Sequence, residues 1–293
     1  MKLATVVLEG QETACIRTEW GLIPLSRINQ RLGSIWPEDL LTVIIDGHLT
    51  EIMSWYVQLQ VEDALHLADL ALPDDQVHFA PPYRRPRKIW GIGLNYREHA
   101  ADLSEQAPTA EPASFLKPDT TVIGSGDQIK IPLLSKRTTG EAELGLIIGK
   151  KCQDVPREDW RSVLAGFTLV LDMTAEDILE RNPRNLTQSK SFDTFFSFGP
   201  IIYTLDEAED LFNLRVKTVL NGKVAAKNLV TNMTFPLDQL VSYHSQVMTL
   251  LPGDIISTGT PGAVKLRQGD ILECRIGDFQ PLINTVVDLK FSK

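Results

Sequence analysis

The segment TTGEAELGLIIGKK holds the residues with the clearest chemical use. Read as a strand, its period of two puts Glu141 and Glu143 on one face beside Gly145, with Ala142, Leu144, Leu146 and Ile148 on the other. Neighbouring carboxylates repel, so the pair belongs either on a solvated edge or around a divalent cation, with the glycine leaving room for a ligand. Asp172, which ends the apolar run FTLVL, is a third candidate, as a metal ligand or, like Thr174, as a helix cap. Three carboxylates on neighbouring strand ends would make an all-oxygen site suited to Mg²⁺ or Mn²⁺. The chain contains no H-E-x-x-H, so no histidine spacing offers zinc an alternative.

A second group lies in GIGLNYREHAADL. Gly91 and Gly93 begin a dinucleotide fingerprint, but Tyr96 occupies the next required glycine position, and neither a Walker motif nor G-x-S-x-G occurs. His99 and Asp102 are spaced i, i+3, which on a helix or turn lets a carboxylate orient an imidazole as general base; the same spacing also describes an ordinary surface pair. Lys117 in FLKP and Lys190 in SKSFDTF are candidate cations for an anionic substrate, or solvated side chains.

These groups must be positioned by short strands. KIWGIGL, TVIGSG, AELGLIIG, FTLVLDM, GPIIYTL, LRVKTVL, DIISTGT and DILECRI alternate with turns, which predicts a barrel or rolled mixed sheet. Helices are expected over 156–164, 174–180 and 236–250, and Asn221-Gly222 predicts a tight hairpin. The first 80 residues read differently: a hairpin from 3–8 and 14–18, a helix start at Pro37-Glu-Asp ending at Gly47, and a second helix over 50–71. The proline-rich LPDDQVHFAPPYRRPRK then marks a boundary, dividing the chain into a small N-terminal domain, 1–80, and a larger domain, 81–293.

Composition narrows the partners. The 293 residues carry 29 Lys+Arg against 38 Asp+Glu, a net charge of −9, with 43% hydrophobic and 23% charged residues, so this is an ordinary globular chain. YRRPRK is its one dense basic cluster, which argues against nucleic acid or an anionic membrane as partner. No window reaches the roughly 18 consecutive apolar residues of a membrane span, and no signal-peptide core is visible. Cys15, Cys152 and Cys274 lie more than 100 residues apart, read as buried thiols, and point to the cytoplasm.

Six segments in order, GLNYREHA, PASFLKPDT, TGEAELGLIIGK, LDMTAEDI, KSFDTFFSFGP and LLPGDIISTGTPGAV, resemble the fumarylacetoacetate hydrolase family over about residues 85 to 293. The first 80 residues resemble the small N-terminal domain of its longer members. The resemblance implies an α+β, mainly β fold: a mixed β-roll catalytic domain, usually homodimeric, holding one Mg²⁺ or Mn²⁺ on Glu141, Glu143 and Asp172. It places the catalytic histidine at His99, the catalytic lysine that follows the third carboxylate at Lys190, and a substrate-facing turn at Gly259, Thr260 and Pro261. Tyr96, Lys117 and Ser191 fall in matching motifs, the first two as substrate-binding candidates. Asp102 stands where many hydrolytic members have glutamate, one methylene longer.

The implied chemistry is hydrolytic C–C cleavage of a small anionic 2,4-diketo acid, an acylpyruvate-like compound. His99, oriented by Asp102, would take a proton from water, and Lys190 with the backbone around Thr260 would hold negative charge. Decarboxylation of an oxaloacetate-like acid and isomerisation of a 2-hydroxy-dienoate use the same core, and a catalytically weak ligand-binding protein is the remaining expectation.

Overall fold

Apolar runs bounded by glycine and proline turns become strands of two sheets. The computed structural model describes residues 1–58, 67–98, 108–208 and 210–291. Among them, the larger sheet runs in the order Gly21–Pro24, Gln11–Thr18, Lys2–Leu8, Phe196–Tyr203, Leu164–Ala175, Thr138–Ile148, Ile255–Ser257, Ile89–Gly93, Ala113–Lys117, with three short strands branching from it. The smaller sheet orders Lys223–Leu229, Arg215–Leu220, Ile271–Ile276, Leu282–Asp288 and Gln128–Ile131. This is the expected sheet-dominated α+β architecture, in which parallel and antiparallel pairs mix.

The two central strands, Thr138–Ile148 and Leu164–Ala175, are buried along their whole length. Ala142, Leu144, Leu146 and Ile148 pack with Leu272, Cys274 and Ile276 of the smaller sheet in one core. The opposite face carries Ile147 and Val170 into a second core with Ile16, Ile23, Ile28 and Ile52. Strand Lys2–Leu8 pairs with Phe196–Tyr203, Leu3 opposite Ile202, so strand pairing crosses residue 80.

The expected hairpin forms as Lys2–Leu8 and Gln11–Thr18, and Asn221 and Gly222 take φ of 52° and 76° in the second hairpin. Asp39 caps helix Leu40–Ile45, its side chain accepting from Thr42 N at 2.8 Å, and Gly47 follows with φ 80°. Three readings need correction. The second helix begins at His48 and is described to Gln58; Ala68–Leu70 is a separate short 3₁₀ turn, and residues 59–66 lie outside the described set. Arg157–Val163 is 3₁₀ rather than α, and Thr174 and Ala175 belong to a strand, the helix starting at Glu176. Helix Leu25–Leu32, which Pro24 precedes and Gly33 closes, was not read from the sequence. Cys15 and Cys274 are buried and Cys152 half-buried, all three unbridged. Among the described residues, no helix is long and apolar enough to cross a membrane.

Candidate metal centre

Antiparallel pairing sets Asp172 directly opposite Glu141 and Val170 opposite Glu143, so the three carboxylates share one face of the two central strands. Like charges at directly opposed positions are destabilising unless something positive lies between them. Their ligand oxygens lie within 4.8 Å of one another, and Glu143 and Asp172 are nearly sealed from solvent. The solvated-edge reading therefore fails.

Two lysines answer part of that charge. Lys190, last residue of helix Leu186–Lys190, reaches Glu141 Oε2 at 2.8 Å and Asp172 Oδ2 at 2.7 Å. Lys117, at the end of strand Ala113–Lys117, donates to Asp172 Oδ1 and to Met173 O at 3.2 Å. Burial alone would raise the Asp172 carboxyl, but the two lysines outweigh it and hold it below the ordinary range. Burial draws Lys117 down to about 8 against the pull of Asp172, whereas Lys190, with two carboxylates, is raised. Burial, then Asp172 and Glu141, push Glu143 up to about 8. With all three carboxyls ionised, the state a divalent cation would favour, the two ammonium groups leave one negative charge, so this buried oxygen set fits an ion such as Mg²⁺ or Mn²⁺.

Ser257 Oγ donates to Glu143 Oε2 at 2.5 Å, and Gly259 N donates to the same oxygen at 2.8 Å. Thr174 Oγ1 donates to Glu141 Oε2 at 3.2 Å. The sequence offers Gly259 and Thr174 in other roles and Ser257 in none: Ser257 is 114 residues from Glu143, and only strand pairing brings them together. The Gly259 amide is thereby turned to the Glu143 carboxylate. Gly259 holds φ 95°, and a β-carbon there would meet Asn95 Cβ at 2.7 Å. Asn95 pins this turn, its amide donating to Thr258 O at 2.8 Å and Phe235 O at 3.1 Å and its carbonyl accepting from Phe235 N at 2.8 Å.

A cavity of about 240 Å³ opens over Glu141, Glu143 and Lys190, with Thr260 and Phe115 in its lining and the Lys190 ammonium 4.7 Å from the Phe115 ring centre. Lys117 does not reach it: its side chain is fully buried behind Asp172. Tyr96 is also buried, its hydroxyl without a hydrogen-bond partner among the described residues, as is Ser191 Oγ. Pro261 is buried in the turn after Thr260. Gly145 leaves no room for a ligand, because a β-carbon there would meet Val170 Cγ2 at 2.8 Å; its space is taken by strand packing. His99 and Asp102 lie outside the described residues.

The family model described as fumarylacetoacetate (FAA) hydrolase C-terminal matches residues 88–287. Oxaloacetate tautomerase Fahd2a, mitochondrial, from Rattus norvegicus is 35% identical over 241 residues, 77% of each chain. A crystal structure of maleylpyruvate hydrolase from Sphingobium sp. SYK-6 in complex with manganese (II) ion and pyruvate superimposes with a TM-score of 0.79 at 28% identity, covering 98% of this chain and 99% of that one. The 5-carboxymethyl-2-hydroxymuconate delta-isomerase of Mycobacterium smegmatis gives 0.75 at 25% identity, with 98% and 99% covered. Hydrolase, isomerase and tautomerase names thus gather around one fold, and the match over residues 88–287 shows that the chain belongs to the fumarylacetoacetate hydrolase family.

Proposed function

We propose that the protein is a divalent-metal-dependent hydrolase of acylpyruvate-type 2,4-diketo acids. The observation that carries this is the buried set of Glu141, Glu143 and Asp172, tied to two lysines and opening on a small, largely apolar cavity. A Mg²⁺ or Mn²⁺ ion held by the three carboxylates would supply Lewis acidity toward a 2-oxo acid. Lys190 Nζ, fixed by Glu141 and Asp172, presents positive charge at the cavity wall to the substrate carboxylate. In this reading His99, with Asp102, accepts the proton of the attacking water. Hydroxide adds to the distal acyl carbon, the bond between C3 and C4 breaks, and its electron pair passes to C3, delocalised onto the 2-oxo oxygen. Protonation of C3 then gives pyruvate, and the acyl fragment leaves as a carboxylic acid.

Keto–enol tautomerisation of a 2-oxo acid is the second reading, favoured by the 35% identity to a tautomerase. Acetylpyruvate and oxaloacetate, assayed after chelation and metal restoration with Glu143→Ala alongside, separate the two. Hydrolysis predicts ¹⁸O from water in the acetate, dependent on both metal and Glu143, with turnover at least 100-fold lower in the variant. Metal-dependent interconversion of enol and keto oxaloacetate without acetylpyruvate cleavage overturns hydrolysis in favour of tautomerisation. Metal-independent activity sinks both.

A further inference from the structure

Glu176, the first residue of helix Glu176–Arg181, stands on the wall of the same cavity as Glu141 and Lys190. Arg137 Nε lies 2.9 Å from its Oε2, but Arg137 also pairs with Glu180 and is outside the cavity lining. These three groups together keep one negative charge. The wall continues through Leu179, Pro183 and Leu186, with Ile92 and Phe115 also in the lining. Lys190 is the one cation among the described lining residues, and it is committed to Glu141 and Asp172.

Charge matching then favours one carboxylate on the substrate. The three ligand carboxylates and two lysines with a divalent cation would sum to one positive charge, which the carboxylate beside the 2-oxo group neutralises. A second carboxylate on the substrate tail would be desolvated against leucine and proline and would face Glu176, with no uncommitted cation among the described lining residues to receive it.

We propose that Glu176 makes this a single-carboxylate site: it accepts 2-oxo acids with an uncharged, apolar tail and turns away those ending in a second carboxylate. This rests on the cluster being a metal site for acylpyruvate-type 2-oxo acids, since oxaloacetate, the substrate of the second reading, itself ends in a second carboxylate. Calorimetric titration of the full-length, Mn²⁺-loaded protein with pyruvate, 2-oxohexanoate and 2-oxoadipate tests it, the latter two sharing six carbons and ending in methyl or carboxylate. The expected result is 2-oxohexanoate bound at least tenfold more tightly than 2-oxoadipate. The ratio should fall below threefold in Glu176→Gln, and should narrow in the unaltered protein when salt rises from about 0.05 to 0.5 M. Equal or tighter binding of 2-oxoadipate, or a preference unchanged by both salt and substitution, overturns the proposal while pyruvate binding leaves the metal reading standing. Failure of pyruvate itself to bind removes the 2-oxo-acid reading, and this proposal with it.

Discussion

Four of the five charged residues of the centre are held by a neighbour of opposite sign, Glu143 instead by the Ser257 hydroxyl and the Gly259 amide, and this decides what a substitution does. Lys117 is fully buried against Asp172, so Lys117→Met leaves a desolvated carboxylate with Lys190 alone. Stability in metal-free buffer should fall by about 3–5 kcal/mol, measured by urea unfolding. A change under 1 kcal/mol would mean that Lys117 does not carry Asp172's charge. The metal-ligand candidates were legible because glutamates at i, i+2 and an aspartate closing an apolar run are visible in a linear pattern. Lys117 was legible as a cation, but its task was not, since a sequence does not show that strand Ala113–Lys117 turns the ammonium inward, behind Asp172. Glu176 is not legible as a site residue, because in sequence it is one more acid in a helix's first turn, a place where acids are common.

At the scale of elements, the centre depends on the turn Thr258–Pro261 approaching strand Thr138–Ile148 closely enough for the Gly259 amide to reach Glu143. Gly259→Ala puts a methyl against Asn95 Cβ at a positive φ. The substitution should cost about 1–3 kcal/mol and weaken Mn²⁺ binding at least tenfold, read by calorimetry. Full retention of Mn²⁺ affinity would show that the turn does not orient Glu143. The glycine was legible as part of a Gly-Thr-Pro turn, whereas its partner Asn95 was not, because 163 residues separate Asn95 from Thr258. The same limit explains Gly145: period two places it correctly beside the glutamates, but the side chains that fill its space belong to the paired strand. Hairpins and capped helices were readable because their determinants are local, as at Asn221-Gly222 and Asp39.

For the molecule as a whole, pH acts on stability through a buried histidine away from the carboxylates. His244, on helix Leu237–Val247, is fully buried, its Nδ1 2.8 Å from Leu240 O, its Nε2 without a hydrogen-bond partner among the described residues and its ring 4.7 Å from that of Trp90. Burial lowers its pKa below the ordinary imidazole value, so the unfolded chain binds the proton more readily than the folded one. Its neutral form therefore supports the fold above about pH 6.5, and this support is lost as pH falls below that value, by at most about 1.4 kcal/mol per unit. Melting temperature followed from pH 7.5 to 5 should decline less steeply in His244→Gln than in the unaltered protein; parallel curves would refute the assignment.

The pairing of Lys2–Leu8 with Phe196–Tyr203 also sets an order of events at the ribosome. Leu3 cannot meet Ile202 until some 200 further residues have been made, about 10–40 s at about 5–20 residues per second. Through that interval the first hairpin can form locally while Leu3 and Ala4, each buried in the finished sheet, wait without their partner strand. The nascent chain therefore carries this apolar strand edge without its partner until synthesis has passed Tyr203.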